Sequence, residues 1–153
     1  MMQLLPVRWE ERHAFEAQAV PYLTALVPDL PAPKPGHFDH FWNNPGRYAF
    51  WLGTKRAGFA LVRAVNARQH ELCEFCILPA NRRQGLGQAA AHATLLTFPG
   101  PWRIGVAAGS AQAAPFWHNV LNRLAQVSGL IKTPPQTAHQ SHSYTFEISK
   151  DPV

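Results

Sequence analysis

Two arginines and two glycines stand together at the start of a helix-like stretch. The segment PANRRQGLGQAAAHAT, residues 79–94, contains Arg82, Arg83, Gly85 and Gly87. Backbone N–H groups in the first turn of a helix bind anions, and glycines let a phosphate group approach them closely. The pattern predicts a phosphate-binding turn. The alternative is a helix start that uses small residues for close packing, which the alanines after Gly87 also favour.

Several classes of phosphate ligand use a turn of this kind, and the sequence narrows the choice. A P-loop ends in Gly-Lys-Ser/Thr, which this chain lacks. Residues 85–90 fit the dinucleotide motif G-x-G-x-x-A, but that motif needs an acid about 20 residues further on to hold the ribose hydroxyls. After Glu74 the next acid is Glu147. The dinucleotide interpretation is therefore disfavoured.

The elements around the turn predict a mixed α/β fold. Strand-like and helix-like segments follow one another in the order β-α-(α)-β-β-β-α-β-α-β. The strand segments are MQLLPVR, RYAFWLG, RAGFALVRAV, HELCEFCIL, WRIGVA and YTFEIS, with the second and third forming a hairpin. The first helix has its apolar face at Phe15, Ala19, Tyr22, Leu23 and Leu26. Pro21 should kink or split this helix.

Length and composition are those of a globular protein that has one core. The chain has 153 residues, of which 46% are hydrophobic and 15% charged. We expect a single domain over residues 1–153, located in the cytoplasm and without a membrane segment. The formal net charge is +5, and the stretch between Glu74 and Glu147 holds cations but no acid. Such a surface attracts a polyanion, either nucleic acid or a phosphate-bearing cofactor.

Cys73 and Cys76 raise the question of a metal site. Residues three apart in a regular strand point to opposite faces, and no second Cys/His cluster has a spacing typical of metal ligands. The two cysteines are predicted to be structural, and no metal site is expected.

The turn and its surroundings resemble a known enzyme superfamily. Arg82-Arg83-Gln84-Gly85-Leu86-Gly87 is similar to the Q/R-x-x-G-x-G/A signature of the GNAT superfamily of acyl-CoA-dependent N-acyltransferases. The element order resembles the family order over nearly the whole chain. The resemblance implies a GNAT-like fold with a central, mixed, mostly antiparallel twisted sheet flanked by helices. It also implies acetyl-CoA as the cofactor.

The resemblance assigns cofactor-binding residues to three segments of the chain. Phe75, Cys76 and Ile77 match the strand edge that pairs with the pantetheine arm. The pyrophosphate loop corresponds to Arg82, Arg83, Gln84, Gly85, Leu86, Gly87 and Gln88. The later helix matches the family frame N-x-x-A-x-x-F-Y at Ser110, Ala113, Phe116 and Trp117.

Two of these positions depart from the family frame. Ser110 replaces an Asn that contacts the cofactor arm, although a hydroxyl can still form a hydrogen bond. Trp117 replaces the Tyr often cast as the general acid toward the leaving thiolate. Because an indole N–H does not titrate usefully, that role is either vacant or filled by another residue. Packing in the core or an acyl pocket is the simpler role for Trp117.

Acyl transfer to an amine needs a base, and two glutamates are candidates. A lysine-like amine must lose its proton at a cost of about 4–5 kcal/mol at pH 7, and a nearby carboxylate can accept that proton. Glu71 and Glu74 are three residues apart, so in a regular strand only one of them faces the substrate unless a bulge intervenes. Glu74 is favoured over Glu71. Both could instead be surface or ion-paired groups.

The acceptor site is expected in the N-terminal third of the chain. Residues 37–51, HFDHFWNNPGRYAFW, are rich in aromatic side chains, and Asp39 could attract a cation. An aromatic lining with one carboxylate suits a primary amine, which makes Asp39, Phe41 and Trp42 the candidate substrate-binding residues. Equally, these aromatics could form the core beneath the first helix.

These expectations combine into one main hypothesis and two rivals. The main hypothesis is an acetyltransferase that moves an acetyl group from acetyl-CoA to a primary amine of a small molecule or protein, by direct attack in a ternary complex. The first rival is an acyl-CoA-binding sensor or structural subunit without turnover. The second is a nucleic-acid-binding module, which rests on the basic charge alone and is not expected. A homodimer is left open.

Overall fold

The computed structural model describes residues 2–82 and 85–150. Its sheet contains β1 (Leu4–Pro6), β2 (Arg47–Leu52), β3 (Gly58–Ala64), β4 (His70–Ile77), β5 (Gly100–Ala107), β6 (Val127–Thr133) and β7 (Gln140–Ile148). The helices are α1 (Arg12–Leu26), α2 (His40–Asn43), α3 (Leu86–Thr97) and α4 (Ala113–Arg123), with 3-10 turns at Trp9–Glu11 and Pro79–Asn81. The strand order is β1-β2-β3-β4-β5-β7-β6.

The sheet is mixed but mostly antiparallel. Only β4 and β5 pair in parallel among the described strands, because α3 connects them and returns the chain to the same end of the sheet. The predicted hairpin is formed by β2 and β3, and the short β1 lies at the sheet edge, where Pro6 is tolerated. The predicted fold class is confirmed.

Helices cover both faces of the sheet and create two apolar clusters. On one face, α1 and α2 pack Phe15, Ala19 and Phe41 against strand residues that include Trp51 and Phe59. On the other face, α3 and α4 cover the residues Leu52, Val62, Leu72, Trp102, Ile104 and Phe146. The strand β4 contributes side chains to both clusters, as expected for a central strand.

Two local features differ from the sequence-based expectation. The helix α1 continues through Pro21, so it is not split there, and a kink at this residue stays a prediction. The strand β6 was not predicted. It is an edge strand in which Ser128, Gly129, Ile131 and Lys132 are exposed, so it lacks the apolar alternation that marks a buried strand.

The two central strands separate and leave room for a ligand. Residues 70–72 of β4 pair with residues 102–104 of β5, and beyond that point the two strands have no registered pairs. The edge of β4 from Cys73 to Ile77 that faces β5 therefore has no strand hydrogen-bonded to it. This separation is where the candidate site lies.

The helices in the described ranges, 2–82 and 85–150, include none with the length and apolarity needed to cross a membrane.

Candidate active site

A large cleft occupies the separation between β4 and β5. Its volume is about 1550 Å³, and its walls come from both strands, from the starts of α3 and α4 and from the end of α1 with the loop that follows it. Most of the residues that the sequence assigned to a ligand line this cleft. They are Glu71, Glu74, Phe75, Cys76, Ile77, Arg82, Gly85, Gly87, Gln88, Ser110, Ala113, Phe116 and Trp117.

A bulge in β4 controls which side chains face the cleft together. Opposite β3, Leu61 pairs with Glu74 and Arg63 pairs with Glu71, while Leu72 pairs with the residue between them. Cys73 is thus an extra residue on β4. Leu61 and Arg63 are two apart on one strand and share a face, so their partners Glu74 and Glu71 share that face as well.

Because of the bulge, β4 residues three apart in sequence lie on the same face of the sheet. Glu71 and Glu74 lie on one face, which was expected only if a bulge intervened. The expectation that the two cysteines point to opposite faces was wrong, because Cys73 and Cys76 both belong to the apolar cluster beneath α1. Both thiols are free. Burial raises the pKa of Cys73 to about 12 and also raises the pKa of Cys76, so both thiols stay protonated at neutral pH.

Glu74 has the environment of a proton acceptor for neutral pH. Burial raises the pKa of its carboxyl to about 7, and a hydrogen bond from Tyr22 acts in the opposite direction. The Tyr22 hydroxyl donates to Glu74 Oε1 over 3.3 Å. Burial also raises the pKa of Tyr22, so the phenol stays neutral and remains a donor. A base with a pKa near the working pH is efficient in proton transfer.

Glu71 is held in a network of ion pairs. Arg63 Nε donates to one carboxylate oxygen over 2.6 Å, and Arg103 Nε donates to the other over 2.5 Å. These contacts join β3, β4 and β5 where β4 and β5 begin to separate. Because both oxygens of Glu71 are engaged by guanidinium groups, Glu71 is poorly suited to accept a proton from a substrate. Of the two predicted bases, the geometry favours Glu74.

The start of α3 offers backbone donors and an open approach. Gly85 precedes the helix with φ of 73°, a left-handed conformation that favours glycine. A Cβ atom added to Gly85 would meet nothing within 4 Å, so this position faces open space. The N–H groups of Leu86, Gly87 and Gln88 lie in the first turn, where a helix has no internal acceptors. Arg83 and Gln84 lie outside the described residues.

Two other residues of the predicted loop have structural contacts. A Cβ atom on Gly87 would lie 3.0 Å from Cε1 of Phe116, so this glycine also permits close packing of α3 on α4. The packing interpretation therefore applies at Gly87, and the phosphate interpretation of the open turn at Gly85 stays a prediction. Arg82 Nε donates to the Ile77 carbonyl over 2.8 Å, which links the end of β4 to the turn.

The start of α4 forms the opposite wall of the cleft. Phe116 stacks on Phe75 with ring centroids 5.8 Å apart, and Trp117 meets Phe75 edge-on at 5.4 Å. Trp117 is buried in the cluster beneath α3 and α4, as its packing role predicted. Ser110 and Ala113 line the cleft just before and at the start of this helix.

The predicted acceptor residues do not line the main cleft. Phe41 is buried, and Trp42 packs edge-on against Phe15 while its indole N–H donates to the Val7 carbonyl over 2.7 Å. These contacts fit the alternative that the aromatics form the core beneath α1. Asp39 lies just before α2. Phe41 does line a smaller cavity beside Glu74. A role for these three residues in acceptor binding stays a prediction.

Three residues of the site were not predicted as such. Tyr22 was placed only on the apolar face of the first helix, and nothing local distinguishes a phenol that reaches Glu74 from one that packs in the core. Arg63 and Arg103 each have a cross-strand relation to Glu71. The sequence places Arg63 in the strand before β4, which makes a contact with a β4 residue plausible. Which β4 residue it pairs with depends on the bulge, so the sequence alone does not identify Glu71 as its partner.

Comparison with known proteins decides the fold. No protein-family model matches the sequence, and no sequence of curated function matches it. Among solved structures, this chain is similar to an acetyltransferase of the GNAT family from Staphylococcus aureus Mu50, with a TM-score of 0.68 and 9% identity over 97% of this chain and 100% of that one. The chain has the GNAT fold.

Other GNAT-fold structures match over similar lengths. Spermidine N-acetyltransferase from Vibrio cholerae, in complex with CoA and spermine, has a TM-score of 0.66 and 10% identity over 96% of this chain and 95% of that one. The ribosomal-protein-S18-alanine N-acetyltransferase from Escherichia coli has a TM-score of 0.63 and 16% identity over 100% and 96%. At these identities the likeness concerns the fold.

Proposed function

We propose that this protein is an N-acetyltransferase that moves an acetyl group from acetyl-CoA to a primary amine by direct attack in a ternary complex. The observation that carries the proposal is Glu74, a carboxyl with a pKa raised to about 7 that lines the cleft between β4 and β5. The GNAT fold, and structural neighbours that are acetyltransferases, support the same reaction.

The residues present fit coenzyme A. The first-turn N–H groups of Leu86, Gly87 and Gln88 are donors for a pyrophosphate, and the open space at Gly85 gives access to them. The unpaired edge of β4 at Phe75, Cys76 and Ile77 provides backbone groups for the pantetheine amides. Ser110, Ala113, Phe116 and Trp117 line the opposite wall. Arg82 adds positive charge, and Arg83 and Gln84 are assigned to the same loop by the signature.

Glu74 would prepare the acceptor for reaction. Acetyl-CoA supplies the activated thioester. An amine with an ordinary pKa is protonated at pH 7, and its deprotonation costs about 4–5 kcal/mol. Ionised Glu74 would accept that proton beside the reacting nitrogen. The neutral nitrogen would then form a bond to the acetyl carbon as the carbon–sulfur bond breaks. The second proton lost from nitrogen would neutralise the leaving thiolate, which gives the amide and the free thiol of CoA. Tyr22 holds the Glu74 carboxylate in position through its hydrogen bond.

A covalent acyl-enzyme is disfavoured by the state of the two thiols. Cys73 and Cys76 flank Glu74 in the chain, but burial raises the pKa of both. A protonated thiol is a weak nucleophile. Direct attack by the amine therefore accounts for the reaction without a cysteine intermediate.

One observation favours a second candidate function, an acyl-CoA-binding sensor without turnover. Trp117 is buried in the core and offers no titratable group to a leaving thiolate. A protein that bound CoA in the same cleft without transferring the acyl group would have the same fold and the same phosphate turn.

The release of free thiol from acetyl-CoA, measured across a panel of primary amines, separates the two candidates. We expect thiol release that depends on the amine and on enzyme concentration. Saturable binding of acetyl-CoA, with no thiol release above background for any amine, would instead support the sensor. Absence of both binding and release would contradict both.

A further inference from the structure

A second, smaller cavity opens beside Glu74. It has a volume of about 250 Å³ and shares Leu23, His37, Arg63, Cys73 and Glu74 with the walls of the main cleft. Phe38, His40, Phe41, Arg47 and Leu61 complete its lining. Glu74 is the only carboxylate among these lining residues. Its position next to the proposed base makes this cavity a candidate acceptor site.

Two arginines face each other across the strands that form this cavity. Arg47 on β2 and Arg63 on β3 are direct cross-strand partners, so their side chains share one face of the sheet. Like charges at directly opposite positions destabilise a sheet. Arg47 and Arg63 are both half-buried, and an anionic ligand bound between them would reduce their mutual repulsion.

The protein itself compensates only part of this charge. Glu71 forms ion pairs with Arg63 and Arg103, so one carboxylate serves two guanidinium groups. Within the described part of the chain, no carboxylate lies within the 4.0 Å ion-pair distance of Arg47. Its guanidinium carbon instead lies 5.7 Å from the centroid of the Phe41 ring. Arg47, Arg63 and Arg103 together outnumber Glu71 and an ionised Glu74 by one positive charge, and Arg47 is the arginine of the three that has no ion pair with a carboxylate among the described residues.

This surplus is far from the proposed phosphate turn. The ion-paired Glu71 lies near the start of β4, and the turn follows Ile77 at its end. Six residues of strand at roughly 3.3 Å each span about 20 Å. Arg47 is therefore placed on the acceptor side of Glu74, whereas Gly85 and the first turn of α3 are placed on the CoA side. Phosphates of a cofactor bound at the first turn of α3 would therefore be too far away to neutralise the charge of Arg47.

We propose that the acceptor is a primary amine that also carries an anionic group, a carboxylate or a phosphate, which Arg47 binds in the cavity beside Glu74. This inference rests on the proposed acetyl transfer for the reaction itself. It differs from the sequence-based expectation, in which Asp39 attracts a cationic acceptor. Asp39 does not line the cavity, whereas Arg47 does.

Matched pairs of amines test the proposal. β-Alanine and β-alaninamide differ in the carboxylate, and O-phosphoethanolamine and ethanolamine differ in the phosphate, while spermidine represents a polycation. The variant Arg47→Gln removes the free guanidinium, and Arg68→Gln, at an exposed position in the loop before β4, is the matched control. The assay measures kcat/KM from thiol release, and the same pairs are tested for equilibrium binding in the presence of CoA.

We expect the anionic member of at least one pair to be preferred by about tenfold or more. A preference within the β-alanine pair would indicate a carboxylate on the acceptor, and a preference within the O-phosphoethanolamine pair would indicate a phosphate. Arg47→Gln should reduce the preference to near unity, and Arg68→Gln should leave it unchanged. Equal or better activity with the uncharged amines or spermidine would overturn the proposal while leaving acetyl transfer intact. A preference for the anionic amine that persists in Arg47→Gln would also overturn the proposal.

The binding measurement keeps the two proposals separate. If no amine is acetylated, acetyl transfer is contradicted, and the inference about the cavity is then judged on binding alone. A preference of about tenfold in Kd for an anionic amine, lost in Arg47→Gln, would support the cavity as an anion-recognising site. No such preference would overturn it. If Arg47→Gln does not fold, Arg47→Lys, which retains the charge, should keep the preference, and the wild-type comparison of each pair still decides.

Discussion

Glu74 follows the bulge in β4 and lines the cleft. Ordinary glutamates are ionised at neutral pH, but burial raises the pKa of this one to about 7. The ionised form accepts a proton, so kcat/KM for amine acetylation should rise as pH increases through about 7 and fall as pH decreases. Glu74→Gln should lower kcat/KM by about 100-fold or more and remove this pH midpoint.

The matched control for Glu74→Gln is Glu147→Gln, which changes an exposed carboxylate on β7. That variant should retain the wild-type activity and pH midpoint. Initial rates of thiol release from pH 5.5 to 9 provide both measurements. If Glu74→Gln kept the wild-type pH profile at normal activity, another group would be the base.

At the scale of elements, the bulge in β4 connects the geometry of a strand with the chemistry of the site. The sequence identified Glu71 and Glu74 as the candidate bases, and alternation in a regular strand placed them on opposite faces. One extra residue, Cys73, brings both to one face. Alternation of polar and apolar residues within β4 does not reveal the bulge. The bulge is visible only in the pairing of β4 with β3. The sequence favoured Glu74 over Glu71, and the ion pairs that engage both oxygens of Glu71 support the same preference.

The ion-pair network at the junction of β3, β4 and β5 should contribute to stability. Glu71→Gln leaves Arg63 and Arg103 without their shared carboxylate. The free energy of unfolding should fall by about 1–2 kcal/mol, between the values typical of exposed and buried ion pairs. Urea unfolding measures this change, with Glu147→Gln as the control. The pH midpoint of activity should stay near 7. A large loss of activity together with loss of that midpoint would instead identify Glu71 as the base.

The start of α3 can be tested with two substitutions of nearly equal shape. Asn and Asp tolerate the left-handed conformation of Gly85 better than other side chains, and a side chain there would extend into open space. Gly85→Asp should weaken CoA binding by about tenfold or more, because its charge repels the pyrophosphate. The same charge favours the helix N-terminus, so stability should be retained.

Gly85→Asn is the neutral control and should bind CoA more tightly than Gly85→Asp. Isothermal titration with CoA, together with thermal unfolding of both variants, gives the comparison. Equal CoA affinities for the two variants would argue against a phosphate at this turn. Gly87 is less suitable for this test, since a side chain there would also press on Phe116.

At the scale of the whole molecule, the sequence predicted most of the fold from periodicity and from the resemblance to GNAT proteins. The hairpin of β2 and β3, the strand β4 and the start of α3 are where the patterns placed them. β6 was missed because it is an exposed edge strand. The function of residues 37–51 was ambiguous, because aromatic side chains suit both a core and an amine site, and the contacts of Phe41 and Trp42 are those of a core.

We propose that the chain folds as one domain, since the seven strands form one sheet with a cluster on each face. Trp51 belongs to one cluster and Trp102 to the other, and both are fully buried. Unfolding should therefore be one cooperative transition. Urea titrations of Trp51→Phe and Trp102→Phe, each followed by fluorescence and by circular dichroism, should give coincident curves within each variant. If fluorescence and circular dichroism gave different unfolding midpoints within either variant, the two clusters would unfold as independent units.

A crystal structure of the protein with CoA bound tests the central claim most directly. The proposed function predicts that the pyrophosphate lies at the first turn of α3, beside Gly85. It predicts that the pantetheine arm runs along the unpaired edge of β4, with its sulfur on the same side of the cleft as Glu74. CoA bound outside the cleft between β4 and β5, or a sulfur directed away from Glu74, would contradict the account.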